Sequence, residues 1–246
     1  MKRLLDIVLS ALGLLAASPV LLPVMFLVWW QDGYSPFYVA DRSARGSGTF
    51  RMVKLRSMIK GADKSGVDST AAGDKRITAV GHFIRRYKLD ELTQLWNVLI
   101  GDMSLVGPRP NVKRETDLYT PVEKHLLDVR PGITDFSSIV FSDEGDILAN
   151  KADPDIAYNQ LIRPWKSKLG LFYVEHRSVA IDIKLVFLTV LAIISKPRAL
   201  VAVTTMLTKL GATADIVRVS QRIDELVPTP PPGAKNIVTS RDGSVE

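Results

Sequence analysis

Cysteine is absent from this 246-residue chain. That excludes disulfides, thiolate zinc sites and cysteine nucleophiles, and it agrees with a catalytic domain kept in the cytoplasm. Histidine is scarce: His82, His125 and His176 are the whole complement, and none stands at a metal-ligand spacing from another. There is no Walker loop, no dinucleotide fingerprint and no Gly-x-Ser-x-Gly elbow. Aromatic residues do not interleave with the basic stretches as single-strand nucleic-acid binders require, so nucleic acid is not expected as a partner. No internal repeat occurs.

What is present is basic and partly very apolar. Lys and Arg number 32 against 26 Asp and Glu, a net charge of +6, which suits an anionic membrane surface or a phosphorylated substrate. Basic side chains beside an apolar segment favour the membrane, at about 1 kcal/mol each near anionic lipid. That segment is Ile7 to Trp30, 24 residues without a charge, and a bilayer needs about 20. A cleaved signal is disfavoured by Asp6, by continuation of the run past Ala16-Ala17-Ser18, and by the lack of a small-residue cleavage site before a polar start. Pro19 and Pro23 interrupt the helical ladder. Lys2 and Arg3 precede the run, and Arg42, Arg45, Arg51 and Lys54 follow it, so the positive-inside rule places both ends in the cytoplasm. A helix that enters one leaflet, turns at Ser18-Pro19 and leaves on the same side meets both conditions, with Ser18 capping the carbonyls freed by the kink. A proline-kinked transmembrane anchor is the alternative. Trp29, Trp30 and Tyr34 suit the interface on exit.

The expected architecture is mixed α/β and helix-dominated. It comprises a re-entrant membrane helix hairpin over 1–34, a cytoplasmic catalytic domain with a short sheet over 35–198, amphipathic helices over 199–227, and a proline-rich disordered tail over 228–246. Thr49 to Leu55 alternates as a half-buried strand does. Gly61 to Lys75 has the composition of a mobile, lid-like loop. Leu92, Leu95, Trp96 and Leu99 follow a helical period with one buried face, ended by Gly101. Pro121 to Val129 reads as a short helix, Gly132 to Phe141 as extended, and Asp155 to Leu171 as helical. Ile181 to Ile194 is apolar but holds Asp182 and Lys184, and reads as a core or interfacial helix.

The chemistry centres on Asp90-Glu91. The structural reading makes Asp90 an N-cap with Glu91 in the first turn. The functional reading makes Asp90 a nucleophile toward phosphorus, forming an acyl phosphate, while Glu91 holds a divalent metal, since Mg2+ takes one or two carboxylates plus phosphate oxygens. Lys54, Arg56, Arg85, Arg86, Lys88 and Arg109 crowd the flanking sequence and would serve an anionic substrate. Arg109 stands between Pro108 and Pro110, which stiffen the backbone that presents it.

Several motifs in this order resemble the bacterial sugar transferase family, the monotopic polyprenyl-phosphate phosphoglycosyltransferases, in their small, minimal form. They are Lys2-Arg-Leu-Leu-Asp6, Ser18-Pro19, Lys54-Leu-Arg-Ser-Met58, Leu89-Asp-Glu-Leu92, Asn97-Val-Leu-Ile-Gly-Asp-Met-Ser-Leu-Val-Gly-Pro-Arg-Pro110 and Arg130-Pro-Gly-Ile-Thr134, with a weaker echo in Tyr173-Val-Glu and Ser178 to Asp182. The resemblance implies that Asp90 attacks the sugar-linked phosphorus of a UDP-sugar, that UMP leaves, and that polyprenyl (undecaprenyl) phosphate collects the phosphosugar from Asp90. It also implies Mg2+ on Glu91, Arg85 and Arg109 near substrate phosphates, and a re-entrant break at Ser18-Pro19. The setting would be the bacterial inner membrane, with the catalytic domain facing the cytoplasm, at the first membrane step of surface glycan assembly. Membrane lipids, downstream glycosyltransferases and a second copy of the chain are the further partners considered. The pattern departs from the family at Thr93, where proline is common, and in Asp135 to Gly145. It also departs at Tyr173-Val-Glu-His-Arg-Ser178. A non-catalytic membrane-docked scaffold and a metal-dependent lipid-diphosphate phosphodiesterase stand as alternatives.

Overall fold

A computed structural model describes residues 1–65 and 73–240. The chain opens with α1 (Lys2–Trp30), a single helix of 29 residues that is long and apolar enough to cross a membrane by length and composition. The break expected at Ser18-Pro19 does not divide the helix into two elements. Pro19 lacks the N–H that would bond the carbonyl four residues back, that of Leu15. The Ser18 hydroxyl donates to that same carbonyl at 2.8 Å, so the helix continues with its orphaned acceptor satisfied. Asp6, Ser10, Leu21, Val24 and Val28 are buried against the rest of the protein. Leu4, Leu12, Leu15, Leu22, Phe26 and Trp30 are exposed.

Both ends of α1 are tied to the same body. Lys2 Nζ donates to the Val106 carbonyl at 3.1 Å and pairs with Asp182 at 2.5 Å. Arg3 reaches the carbonyls of Val98 and Leu99 at 2.5 and 2.8 Å. At the other end, Arg56 donates to the Val28 carbonyl at 3.2 Å and holds both Asp32 oxygens at 2.5 and 2.7 Å.

Beyond α1, β1 (Phe37–Ser43) and β2 (Thr49–Leu55) form an antiparallel hairpin in the register Phe37↔Leu55 to Ser43↔Thr49. The expected strand is therefore present. Helix α2 (Ala79–Arg86) starts at Thr78, whose hydroxyl accepts the Gly81 N–H at 2.9 Å. The stretch expected as one amphipathic helix is two, α3 (Leu89–Leu92) and α4 (Leu95–Ile100). The interruption at Thr93-Gln94 shifts the face: Leu95 is buried, but Trp96 is 51% exposed. Gly101 ends α4 in the left-handed conformation, φ 104°. Of the loop expected over Gly61 to Lys75, residues 66–72 lie outside the described residues, and Ala62–Ser65 form a single 3-10 turn.

A second, parallel pair joins β3 (Ser104–Val106) to β4 (Gly132–Thr134). Between them lie α5 (Lys113–Asp117) and a 3-10 turn over Glu123–Asp128. The extended reading of Gly132 to Phe141 holds only to Thr134. Asp135 then caps α6 (Phe136–Val140), its carboxylate accepting the Ser138 N–H at 2.8 Å. An Asp cap outweighs the β-branched pair Ile139-Val140 that suggested a strand. The remaining helices are α7 (Glu144–Ile147), α8 (Pro154–Ala157), α9 (Arg163–His176), α10 (Val179–Ile194), α11 (Lys196–Lys209) and α12 (Ala214–Gln221).

The main core packs α6, α9, α10 and α11 around Phe136, Trp165, Phe172, Tyr173, Leu185 and Val203. A smaller core joins α1 to the hairpin and to α2–α3 through Leu21, Val24, Val28, Leu55, Ile84 and Leu89. Helix α10 buries Ile181, Asp182 and Leu185 and exposes Phe187, Val190, Ile193 and Ile194, in line with the core or interfacial expectation. The tail departs from expectation. Its residues 228–240 contain no helix or strand, yet Val238 is fully buried. Gln160 Nε2 donates to the Val238 carbonyl at 2.7 Å, and Thr120 Oγ1 donates to that of Pro232 at 2.5 Å. Proline has already restricted φ, so such a segment docks with a smaller entropy loss than its low apolar content suggests. Residues 241–246 lie outside the described residues.

Candidate active site

Strand β2 is fastened to α3 and α4 by polar side chains. Asn97 accepts the Val53 N–H at 2.9 Å and donates to the Arg51 carbonyl at 2.8 Å. Thr93 Oγ1 donates to the Val53 carbonyl at 3.2 Å. Thr93, where the family commonly has proline, thus joins the site element to the strand. Lys54, the next residue on β2, is brought to the wall that carries Asp90 and Glu91.

The entry to α3 is strained. Lys88 is the N-cap at φ 52°, ψ 32°, a left-handed conformation unusual for lysine. Asp90 is therefore not the cap but stands with Glu91 in the first turn. A four-residue helix contributes little macrodipole, because the dipole sums over aligned peptides. The positive potential at Asp90 comes from side chains instead.

Arg109 is placed by two glycines. A Cβ on Gly132 would lie 2.1 Å from the Gly107 nitrogen, and one on Gly107 would lie 2.5 Å from the Arg130 carbonyl oxygen. With both absent, the strands close up: the Gly107 N–H bonds the Thr134 carbonyl, and the Gly132 N–H bonds that of Pro108, each at 2.9 Å. The Arg130-Pro-Gly motif thereby supports the loop that presents Arg109. Its guanidinium meets Glu91 Oε1 at 2.8 Å. Arg85, at the end of α2, is steadied by its Nε donating to Ser57 Oγ at 3.0 Å.

One cavity of about 680 Å3 is lined by Lys54, Arg85, Arg86, Lys88, Asp90, Glu91 and Arg109. Ser138, Phe141 to Asp146, and Lys166 also line it. Lys166 pairs with Glu144 within that lining. The departure from the family pattern at Asp135 to Gly145 is thus a change in the lining of the cavity.

The electrostatics separate the two adjacent carboxylates. Burial pushes the Asp90 carboxyl above the usual range, and the neighbouring Glu91 charge adds to that, against the pull of Lys54, Arg109 and Arg85. Burial also pushes Glu91 up, but Arg109 and Lys88 overcome it and bring it down to about 2. Burial and the Arg109 charge bring Lys54 down to about 8, against the opposing pull of Asp90 and Glu91. Among the described residues Asp90 makes no side-chain ion pair, while its neighbour is held by Arg109. One carboxylate is left facing the cavity and the other is bound and ionised.

Of the residues singled out in the sequence, Lys54, Arg85, Asp90, Glu91 and Arg109 come together here. Arg56 does not. Its guanidinium is buried on Asp32 and on the carbonyls of Val28, Tyr34 and Ser35, so its role is to hold the exit of α1. Alternation along a strand would keep positions 54 and 56 on one face, but β2 ends at Leu55, and the Arg56 guanidinium is taken by Asp32 instead. Ser138, Glu144 and Lys166 were not foreseen, since each reaches the site from an element distant in sequence from Asp90; Ser57 lies in the Lys54-Leu-Arg-Ser-Met58 motif but was given no role. No group of three or more His, Asp or Glu able to enclose a metal occurs among the described residues.

A sequence model of bacterial sugar transferases matches residues 1–196. The chain belongs to that family. It is 33% identical over 207 residues to the exopolysaccharide production protein ExoY of Sinorhizobium fredii, covering 78% of this chain and 84% of that protein. It is 33% identical over 172 residues to the UDP-glucose:undecaprenyl-phosphate glucose-1-phosphate transferase of Caulobacter vibrioides, covering 67% of this chain and 64% of that protein. It is 30% identical over 199 residues to the UDP-N-acetylgalactosamine-undecaprenyl-phosphate N-acetylgalactosaminephosphotransferase of Aeromonas hydrophila, covering 79% of this chain but 44% of that protein. The sugars in these names differ, so membership of the sugar transferase family leaves the donor sugar open.

Proposed function

We propose that this protein is a phosphoglycosyltransferase that moves a sugar 1-phosphate from a UDP-sugar to polyprenyl phosphate, through a phosphosugar carried on Asp90. The observation that supports this most directly is an unpaired carboxylate in a cavity ringed by Lys54, Arg85 and Arg109. An Asp90 oxygen attacks the phosphorus bonded to the sugar, the P–O bond to the nucleotide phosphate breaks, and UMP departs with that oxygen. A phosphate oxygen of the lipid acceptor then attacks the same phosphorus, the Asp90–phosphorus bond breaks, and the carboxylate is regenerated. Lys54, Arg85 and Arg109 neutralise the phosphate oxygens, where preorganised cations act most strongly. The raised affinity of Asp90 for a proton marks a more basic, stronger oxygen nucleophile than an ordinary aspartate.

Of the cavity carboxylates held ionised by cations, Glu91 and Glu144 share Arg109 and Lys54 as charged neighbours. That donor set fits Mg2+, which takes one or two carboxylates and completes its shell with phosphate oxygens and water. Bound there, the ion would neutralise the diphosphate.

The acceptor lies in a membrane, and the apolar exposed surface of α1 is the surface that would meet it. Because both ends of α1 return to the same body, we read the helix as re-entrant at the cytoplasmic side of the inner membrane. The exposed face of α10 would lie at the interface.

The test is UMP release by the full chain in nanodiscs with Mg2+, polyprenyl phosphate and a panel of UDP-sugars. Asp90→Asn should lower release at least about a thousandfold while the protein stays in the membrane fraction. Turnover retained by Asp90→Asn would remove the covalent step. UMP formed without lipid-linked product would point to a phosphodiesterase, and silence across the panel to a scaffold.

A further inference from the structure

The stretch of cavity lining around Asp143 is tied down in part from beyond the family match. Asp143 opens α7, but its carboxylate makes no capping bond to that helix. It pairs instead with Lys196 at 2.6 Å, at the head of α11, and with Arg222 at 3.4 Å, just after α12. Arg222 lies beyond residue 196, where the family match ends. Its guanidinium also sits over the Phe141 ring at 5.3 Å, and both Phe141 and Asp143 line the cavity.

Arg222 is held there by geometry that disfavours an ordinary side chain. It occupies the left-handed conformation that closes α12, φ 55° and ψ 34°, a position usually given to glycine. Its side chain is only 13% exposed. Two polar atoms of this pair are buried without a partner, Arg222 Nε and Asp143 Oδ1. One contact at the long end of the hydrogen-bond range and two orphaned groups describe a half-made fork. A guanidinium and a carboxylate can meet through two parallel bonds, and an approach of Nε to Oδ1 would satisfy both atoms.

We infer that Arg222 is a positioning residue for donor binding, which braces the Phe141–Glu144 wall and closes on Asp143 when the UDP-sugar fills the cavity. The inference rests on the phosphosugar-transfer reading for its kinetic consequence. The brace itself is independent of that reading. Glu144 lies within reach of the Arg109 and Lys54 charges, so this wall runs from the diphosphate toward the sugar or the base.

Arg222→Met keeps the side-chain stem and removes the fork. In the full chain in nanodiscs it should raise the donor KM about tenfold, equivalent to about 1.4 kcal/mol, with kcat changed less than about threefold. Discrimination among UDP-sugars should narrow. Arg222→Lys should recover part of the KM, since it restores charge without the fork. Hydrogen exchange, read without donor, should quicken at the amides of 138–147 and stay unchanged in α2 and α3. Faster exchange there with no donor turnover even in the wild type would keep the brace and remove the transfer reading. Unchanged exchange at 138–147, or a KM and selectivity equal to wild type in an active enzyme, would overturn the proposal. A fall in kcat that matches a general loss of thermal stability would overturn it as well, by showing a merely structural role.

Discussion

Lys54 should weaken the fold that it equips for function. Burial and Arg109 lower its pKa from 10.5 to about 8, so at pH 7 the folded protein holds a charged ammonium in a place that disfavours it. A shift of this size corresponds to about 3 kcal/mol at 1.36 kcal/mol per unit. Lys54→Met keeps most of the stem and removes the charge. The shift already includes the attraction of Asp90 and Glu91, but Lys54 keeps some contact with solvent, which screens part of the cost. A net stabilisation of about 1–2 kcal/mol remains, or roughly 2–8 °C in Tm for a chain of this size. The sign with pH follows from proton binding. Between pH 8 and 10.5 the unfolded chain holds the Lys54 proton and the folded chain does not, so wild-type stability from this group rises with pH across that window. The Tm advantage of Lys54→Met should therefore be full below pH 8, shrink above it, and vanish near pH 10.5. Thermal unfolding of both proteins in nanodiscs from pH 6.5 to 10 reads this directly, and UMP release by the variant should be lost. A variant less stable than wild type at pH 7, or a Tm difference flat with pH, would refute the reasoning.

Other consequences can be checked separately. Glu123, fully buried, accepts Arg163 at 3.1 and 2.7 Å and Ser167 at 2.7 Å; Glu123→Ala should destabilise by about 3–5 kcal/mol in denaturant titrations, and a loss under 1 kcal/mol would mean the network reorganises. Arg56→Met should loosen the exit of α1, speeding exchange at the Val28 to Tyr34 amides while leaving the donor KM within about twofold; a large KM change would return Arg56 to the phosphate site. Deleting residues 228–246 removes the Gln160–Val238 and Thr120–Pro232 bonds and should lower stability by about 1–3 kcal/mol. An unchanged Tm would restore the disordered reading of that segment.

The site was legible where its residues are close in sequence. Asp90, Glu91 and Arg109 stand within one short stretch, and their chemistry needs no distant partner to be suspected. The structure adds why Gly107 and Gly132 belong with them: two backbones that must touch to place Arg109. Arg56 was misread because its spacing of two from Lys54 matches one face of a strand, whereas β2 ends at Leu55 and Asp32 claims the guanidinium. Glu144 and Lys166 were illegible for the opposite reason, since 22 residues separate them and only packing of α7 against α9 unites them. The fold shows the same division. The apolar stripe from Leu92 to Leu99 falls on two helices rather than one, an Asp cap at 135 overrode the strand signal, and the docked tail has too few apolar residues to announce its contacts.

The ties of α1 also set a timing problem for synthesis. Lys2 finds Asp182 across a separation of 180 residues, and Arg3 finds carbonyls 95 and 96 positions downstream. A ribosome adding roughly 5–20 residues per second delivers the last of these partners about 10–40 s after Lys2 itself is made. During that interval an apolar helix with a cationic leading end is exposed without its clasp. On the re-entrant reading proposed above, the helix would wait at the lipid surface, its Lys2 end on the side where it was made, until residue 182 arrives to receive it. Topology would thus be decided before the catalytic body exists, and then locked when that body folds around the waiting lysine.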